Sequence, residues 1–438
     1  MLKYFKPVLF LLNIFFITSS ELFFYFIYKD FSYFITRITH RLASVNILYV
    51  KLFQAIALNN SLIDDTINNK LLEFTDNAPW TFNDINIEEL IELTNQYDLI
   101  LPYGYDVPLN SGMISLVFKA YRRDNPDVPL IIKMKRRNID VKLNDAIENL
   151  QFFMYIMSFI PIIQKYQIVE VINKNIDIIK HQTHFSQEVE NMIKIKQNCS
   201  RLKYVVIPKV YANVTQEYPN VILMEYIDGM KINKIQKEDY EEFGKLVMKF
   251  GFVTTIIHGF AHGDLHSGNI LFIKDVNKPK TKYTIGIIDF GIIYELDEEY
   301  KKALFNILTE MFHCAPRENA LKLLQSGLII PVNVVHKIPN SEFTKILQFT
   351  TEIIDETLHN SKNATQVQIY KFMSKLKEYM CNPELSIIGI KPSDNFVKTQ
   401  LVLAMAHGVT LTLCKDDFFS LADKVLNELF NVNLLLSE

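Results

Sequence analysis

Apolar positions are distributed along this chain in several distinct ways, and each predicts a different kind of element. From Val8 to Tyr28, Leu, Phe and Ile dominate, a run about as long as a helix needs to cross ~30 Å of hydrocarbon. Asn13 and Glu21 interrupt it. A carboxylate at the centre of such a helix costs about 3 kcal/mol, and less towards the ends, where Glu21 lies. The stretch is long for a secretory leader, and no small-residue cleavage site follows it. It reads as a single membrane anchor, ahead of an interfacial helix or a signal peptide. Residues 31–100 carry a helical pattern. Asn86, with Glu89 three residues on and Leu90, Ile91 and Leu93 beyond, fits a capped amphipathic helix.

From about residue 105 the runs become short, β-branched and aromatic. Ile114 to Tyr121 and Val128 to Met134 flank Arg-Arg-Asp-Asn-Pro, as strands flank a hairpin turn. Residues 140–182 return to a helical pattern. Within them Phe152 to Ile163 is apolar but short and broken by Pro161, and reads as a buried helix, not a second span. Val205 to Pro208 and Val221 to Tyr226 are strand-like. Past Asp297, a candidate cap, Tyr300, Leu304, Ile307, Leu308, Met311 and Phe312 recur at helical spacing. The rest of the chain to Glu438 looks helical.

Composition changes this picture little. Hydrophobic residues make up 49% of the 438, enough for a large core. A net charge of −3 and a pI near 6.4 argue against a nucleic-acid-binding surface as the main business. The basic run Lys133 to Arg137 is therefore a local feature. Cys199, Cys314, Cys381 and Cys414 are scattered without metal-ligand spacing and read as buried thiols of a reducing compartment. Lys29, Arg37 and Arg41 follow the apolar run, against Lys3 and Lys6 before it, which by the positive-inside rule places the bulk of the chain on the inner side of a membrane.

The chemistry concentrates in two segments. His262-Gly263-Asp264-Leu265-His266-Ser267-Gly268-Asn269 fits H-x-D-L-x-x-x-N, and Asp289-Phe290-Gly291 follows. Phosphoryl transfer from ATP needs a carboxylate near the acceptor and an Asn and a second Asp to hold magnesium. Asp264, Asn269 and Asp289 fill those roles in that order. Such a site also needs a cation on the phosphates and a carboxylate to fix it. Lys133 ends Leu130-Ile131-Ile132-Lys133, a strand pattern of the V-A-I-K kind; Lys135 is its register rival, and alternation favours Lys133. The carboxylate falls in Phe185 to Asn191, where the pattern alone leaves Glu188 and Glu190 open. Met224-Glu225-Tyr226-Ile227-Asp228-Gly229 has the form of an interlobe connector, with backbone groups of Glu225 and Tyr226 placed for an adenine edge.

Together these residues resemble the AarF/UbiB (ADCK) atypical kinase-like family over roughly residues 33–296. Glu188 with Asn191 matches the family's Glu-Ala-x-Asn helix, and the resemblance selects Glu188. Tyr49 to Gln54 stands where the family has Lys-x-Gly-Gln: Lys51 and Gln54 match, and Phe53 replaces the glycine. Leu71 to Pro79 resembles the Leu…Asp…Pro stretch that follows. The family's alanine-rich phosphate loop corresponds to Pro108 to Ser115, which contains no alanine and brings Ser111, Gly112 and Met113 to the nucleotide. His262 to Asn269 matches His-Ala-Asp-Pro-His-Pro-Gly-Asn with departures at Gly263, Leu265 and Ser267. The resemblance implies that Lys51 reaches over the active site.

The expectation is an α+β, bilobal, protein-kinase-like fold with a small antiparallel-sheet N-lobe and a helical C-lobe. Residues 1–30 form the anchor, 31–100 a helical extension, 101–230 the N-lobe, and 231–438 the C-lobe with C-terminal helices. The expected function is that of a membrane-associated kinase or ATPase using ATP and Mg2+. Gly263 stands where typical protein kinases have Arg, no Ala-Pro-Glu follows, and a helix begins soon after Gly291. A peptide platform has little chain to form from, which favours a lipid or isoprenoid-type small molecule as acceptor. A weak nucleotide-binding scaffold and a phosphotransferase of the choline or aminoglycoside kinase type are the alternatives.

Overall fold

The computed structural model describes residues 2–46, 49, 78–159, 176, 179–310, 314–356, 375, 379, 392–414, 420–422, 424–425 and 428–429. Lys51, Phe53 and Gln54 lie outside them, as do Cys381, Met311, Phe312 and most of Leu71 to Pro79. The fold is the α+β, protein-kinase-like one expected. The chain divides into two compact units, Met1–Ile193 with Pro208–Tyr226, and Lys194–Ile207 with Ile227–Glu438.

The first unit is built on an antiparallel sheet ordered β1 (Leu99–Ile100), β3 (Ser115–Arg122), β4 (Asn125–Lys135) and β6 (Val221–Glu225), with β2 (Asn110–Ser111) added to β3. The β3–β4 hairpin turns at Arg123-Asp124, so β4 reaches further back than the proline-bearing spacer implied. Pro126 and Pro129 precede Leu130–Met134, the stretch paired to β6, and so cost no ladder bond there. Alternation does the rest. Leu130, Ile132 and Met134 join Leu116, Phe118 and Leu223 in a core closed by α3 (Ile87–Gln96) and α6 (Ala212–Glu217). Asn86 stands at the N-cap position of α3 but makes no capping bond to its first-turn amides; its side-chain amide donates instead to Glu89 Oε2 at 2.7 Å.

A second core of this unit lies along α4 (Ile139–Met157), with Leu143, Ala146, Ile147, Leu150 and Met154 buried. The helix ends at Met157, and Tyr155, Ile156 and Phe159 are exposed. The described part of Phe152 to Ile163 is therefore a half-buried helix end. Phe153 and Met154 pack inward while their neighbours turn out, as helical spacing requires.

Helix α1 (Leu2–Tyr28) enters this second core through Phe10, whose ring lies 4.8 Å from that of Tyr49. Helix α2 (Phe31–Val45) folds back along it, capped by Asp30. Glu21, the carboxylate that interrupts the apolar run, is fully buried and meets Arg37 Nε at 2.6 Å and Arg41 Nη1 at 2.8 Å. Phe15, Phe16, Phe23 and Phe26 are exposed. Among the described residues, Pro7–Tyr28 and Asp394–Leu413 are long and apolar enough to cross a membrane by length and composition.

The second unit begins with the end of α5 (Phe185–Asn198) and holds two small sheets. In one, β5 (Val205–Val206) runs parallel to β9 (Tyr283–Ile287), which pairs antiparallel with β8 (Ile270–Lys274). In the other, β7 (Phe260–His262) pairs with β10 (Ile293–Glu295). Helix α7 (Tyr240–Phe252) carries the unit's interior together with α8 (Glu298–Glu310), α9 (Pro316–Gln325), α10 (Val332–Val335), α11 (Asn340–Ile354) and α12 (Asp394–Leu413). Tyr300 and Leu304 of α8 are buried as their spacing predicts. Gly244 and Gly251 of α7 lie against α12: a Cβ on them would stand 2.8 Å from Cys414 Sγ and from Ala406 Cβ. Glycine is what lets the side chains of Ala406 and Cys414 rest against the α7 backbone. Of the described cysteines, Cys199 is buried and its thiol is pushed up to about 12 by burial, while Cys314 and Cys414 are only half-buried.

Candidate functional site

In the first unit, β4 and α5 bring Lys133 and Glu188 together. Lys133 shares the sheet face of Ile131, opposite Ile132, and its ammonium donates to both carboxylate oxygens of Glu188 at 2.7 and 2.8 Å. Both side chains are buried. Phe185, one turn before Glu188, lies with its ring 5.5 Å from the ammonium. The rivals point elsewhere: Glu190 is exposed, and Lys135 pairs with Asp140 at 3.3 Å. Two charges out of water are held only when each is the other's partner in good geometry, and the bidentate contact supplies that.

The Asn110–Ser115 turn lies in the same unit, pinned by β2 against β3 and by a Gly112 N–H bond to the Ser115 carbonyl at 2.9 Å. Its side chains are committed inward. Met113 is buried in the α4 core, and Ser111 Oγ donates to the Ala78 carbonyl at 2.7 Å. The main chain is largely committed too: the Ser111 N–H goes to Asn110 Oδ1 at 2.6 Å, the Ser111 carbonyl accepts from Ala78 and the Gly112 carbonyl from Arg136, which leaves the Met113 main chain and the bare Gly112 Cα to face a ligand. Gly112 has no left-handed backbone, and a Cβ there would sit an ordinary 3.4 Å from the Ser115 carbonyl. The fold itself does not require glycine at this position. At the connector, the Glu225 N–H is donated to Lys209 and the Tyr226 N–H to Pro129. Those two groups, expected at an adenine edge, are spent inside the unit.

In the second unit, β7 delivers His262 and the loop after it holds Asp264 and Asn269. His262 organises the loop. Its Nδ1 accepts the Asp264 N–H at 3.1 Å, and its Nε2 lies 2.5 Å from the Asp289 carbonyl. An amide N–H only donates and a carbonyl only accepts, so the ring is neutral with its proton on Nε2. Burial depresses the basicity of this imidazole against the pull of Asp264 and Asp289, which agrees. Phe290 packs on the ring at 5.4 Å. Asp289 adopts a left-handed backbone, φ 67°, a conformation that costs free energy in a non-glycine residue and persists at functional turns.

Asn269 sits at the end of the short turn Ser267–Asn269, whose start is capped by His266 Nδ1. Its amide nitrogen donates to the Asp264 carbonyl at 2.8 Å, which leaves Oδ1 as the atom able to meet a cation. With the Asp289 carboxylate it would offer an oxygen-only donor set, the kind Mg2+ takes alongside water and phosphate oxygens. Lys231 Nζ clamps the turn from outside, donating to the Gly268 carbonyl at 2.6 Å. Gly263 is glycine for a local reason. A Cβ would lie 2.6 Å from Ile292 Cγ2 and 2.8 Å from Tyr294 Cε2. The space a side chain would take there is filled by Ile292, just before β10, and Tyr294 within it, and α8 begins at Glu298 soon after.

The model of the ABC1 atypical kinase-like domain matches residues 77–320, more than half of the 438. The chain belongs to the ABC1 atypical kinase-like family. The expected kinship with AarF/UbiB-type kinases is met, and the matched ABC1 region holds every described residue of the catalytic set. A probable protein kinase UbiB of Tolumonas auensis is 23% identical over 301 residues, 67% of this chain and 54% of that protein. A probable serine/threonine-protein kinase abkB of Dictyostelium discoideum is 26% identical over 267 residues, 58% of this chain and 38% of its own length. The chain thus spans about half, or less, of these curated relatives. Among solved structures, the Rv3197–erythromycin complex from Mycobacterium tuberculosis covers 87% of this chain and 95% of its own at 16% identity, with a TM-score of 0.46.

Of the ABC1-domain residues expected to act, Lys133 meets Glu188, and Asp264 meets Asn269; Lys51 lies outside the described residues. Three participants were not assigned roles from sequence: His262, Lys231 and Arg136. The signal for His262 was present in its motif. Lys231 and Arg136 act on main-chain carbonyls, which leave no pattern in a sequence.

Proposed function

We propose that this chain is an atypical kinase or ATPase that binds Mg-ATP and acts on, or is regulated by, a lipid or isoprenoid-type small molecule. The observation that carries this reading is the buried, bidentate Lys133–Glu188 pair, the arrangement kinases use to hold a lysine on the α- and β-phosphates. Asn269 and Asp289 take magnesium, Asp264 receives the proton of the acceptor, and the main chain around Gly112 approaches the phosphates. The glycine there supports that role, since a residue without a Cβ admits a close approach to its backbone. The short passage from Gly291 to α8 supports an acceptor other than an extended peptide.

Membrane attachment through α1 belongs to the same proposal. The apolar run Pro7–Tyr28 supports a single crossing, with the Glu21 charge met by Arg37 and Arg41. The kinase-like units then face the ATP-containing side.

Because Phe10 of α1 is part of a core of the first unit, the test uses the full chain, purified in detergent and returned to liposomes. ATP should raise Tm only when magnesium is present, and Asp289→Asn should abolish that rise. Hydrolysis should increase when the liposomes contain quinone-like lipid. An unchanged magnesium-dependent shift in Asp289→Asn removes the metal assignment. Binding without any turnover would make the chain a nucleotide-dependent scaffold.

A further inference from the structure

We propose that Arg136 is a positioning residue that ties the Asn110–Ser115 turn to Ala78–Asp84, a segment of the N-terminal extension, so that the two move as one body and this segment sets the nucleotide affinity of the turn. The inference rests on the Mg-ATP reading above and names how that site is regulated. Arg136 directly follows β4, and its side chain is 2% exposed. Nε and Nη2 both donate to the Gly112 carbonyl, at 3.0 and 2.8 Å. Nη2 also donates to Ser111 Oγ at 2.8 Å, and Nη1 to the Pro79 carbonyl at 2.8 Å. Asp84 Oδ2, at 3.3 Å, supplies the counter-charge.

A second tie runs beside the first. The Ala78 N–H donates to the Ser111 carbonyl at 2.8 Å, and Ser111 Oγ returns a bond to the Ala78 carbonyl. Asp84 is itself held by the Thr81 N–H at 2.9 Å and by Lys142 at 3.1 Å.

A buried guanidinium is expensive, and a site built for stability alone would hold an apolar side chain. What this one supplies is geometry, because its acceptors are mostly main-chain carbonyls from segments distant in sequence. The turn cannot shift against Pro79 without losing bonds on one side or the other. Lys133, which should meet the same phosphates, lies on β4 three residues before Arg136. Coupling of this kind is reciprocal: a nucleotide that tightens the turn must tighten Ala78–Asp84 by the same factor.

The test is hydrogen exchange and Mg-ADP titration on the full chain and two variants, Arg136→Lys and Ser111→Ala. Without nucleotide, both variants should exchange faster at 78–84 and at 110–115 together, and Mg-ADP should bind about tenfold more weakly to Arg136→Lys. In the unmutated chain, Mg-ADP should slow exchange in both segments. Ser111→Ala keeps the charge and carries the test if Arg136→Lys does not fold. Exchange changes confined to one segment, or affinity within twofold of the parent, overturn the proposal. Failure of the parent to bind Mg-ADP would sink the nucleotide reading instead, while the nucleotide-free exchange still decides the coupling.

Discussion

His262 reaches the Asp289 carbonyl with one ring nitrogen, at 2.5 Å, while the other receives the Asp264 amide. One neutral imidazole thereby spaces the two acidic residues on which the proposed chemistry depends. Its folded-state basicity is held below the ordinary value near 6.5 by burial. Above that value the ring is neutral folded or unfolded, and pH leaves the contribution unchanged. As pH falls below it, the unfolded chain gains the proton first, so stability is lost with acid. Tm and ATP hydrolysis should both fall below about pH 6.5. His262→Ala should lower turnover about 100-fold through misplacement and remove the part of the pH profile that belongs to this ring. A profile identical in parent and variant would assign the acid limb to another group.

The Lys133–Glu188 pair allows stability and function to be separated. Glu188→Gln leaves a buried ammonium without its counter-charge and should cost about 3 kcal/mol, read as a lower denaturation midpoint. The double variant Lys133→Met, Glu188→Leu should recover most of that midpoint, because an apolar pair of similar volume replaces an ionic one. Its Mg-ATP thermal shift should still be absent. A double variant that regains nucleotide binding would show the pair to be structural only.

At Gly263 the constraint is steric. Gly263→Ala places a methyl 2.6 Å from Ile292 Cγ2 and should destabilise by about 1–3 kcal/mol. Adding Ile292→Ala removes the clashing methyl and should return part of the loss. Thermal unfolding of the single and double variants measures this directly, and equal Tm values for both singles and the pair would discard the explanation.

Gly112 predicts the opposite behaviour. A Cβ there meets only an ordinary contact, so Gly112→Ala should leave Tm within about 1 °C, on the scale of surface changes. On the proposed reading nucleotide affinity should nevertheless change, since the methyl adds bulk to the turn that meets the phosphates. Unchanged affinity for both ATP and ADP would take the turn out of the binding site.

Glu21 gives a prediction for the N-terminal hairpin. Glu21→Gln leaves Arg37 and Arg41 facing each other without an anion. Both arginines are about a third exposed, so solvent screens them, and the loss should be about 1–2 kcal/mol. Trypsin should then cut faster at Lys29, between α1 and α2. Cutting at the parental rate would mean that the hairpin is held by its aromatic contacts alone.

The elements and their types were largely readable, because period and caps are local. Alternation along Leu130 to Met134 put Lys133 on the face away from Ile132, and Asn86 with Glu89 marked the start of α3. The directions of side chains in turns were not readable: nothing local reports that Ser111 and Met113 point inward. The N–H groups of Glu225 and Tyr226 depend on Lys209 and Pro129, partners that only the folded chain brings near. Phe152 to Ile163 looked buried because a run of apolar residues does not say which of them faces solvent. Arg136 was passed over as part of a basic run, because its acceptors are main-chain groups that only the folded chain brings near.

The paired glycines of α7 have a practical consequence for mapping this chain in a cell. A hydropathy scan draws two crossings, at α1 and at α12, and would put the segments before and after α12 in different compartments. With Gly244 and Gly251 admitting Ala406 and Cys414 at contact distance, α12 is claimed by its own protein. Compartment reporters inserted on either side of it should therefore give the same answer.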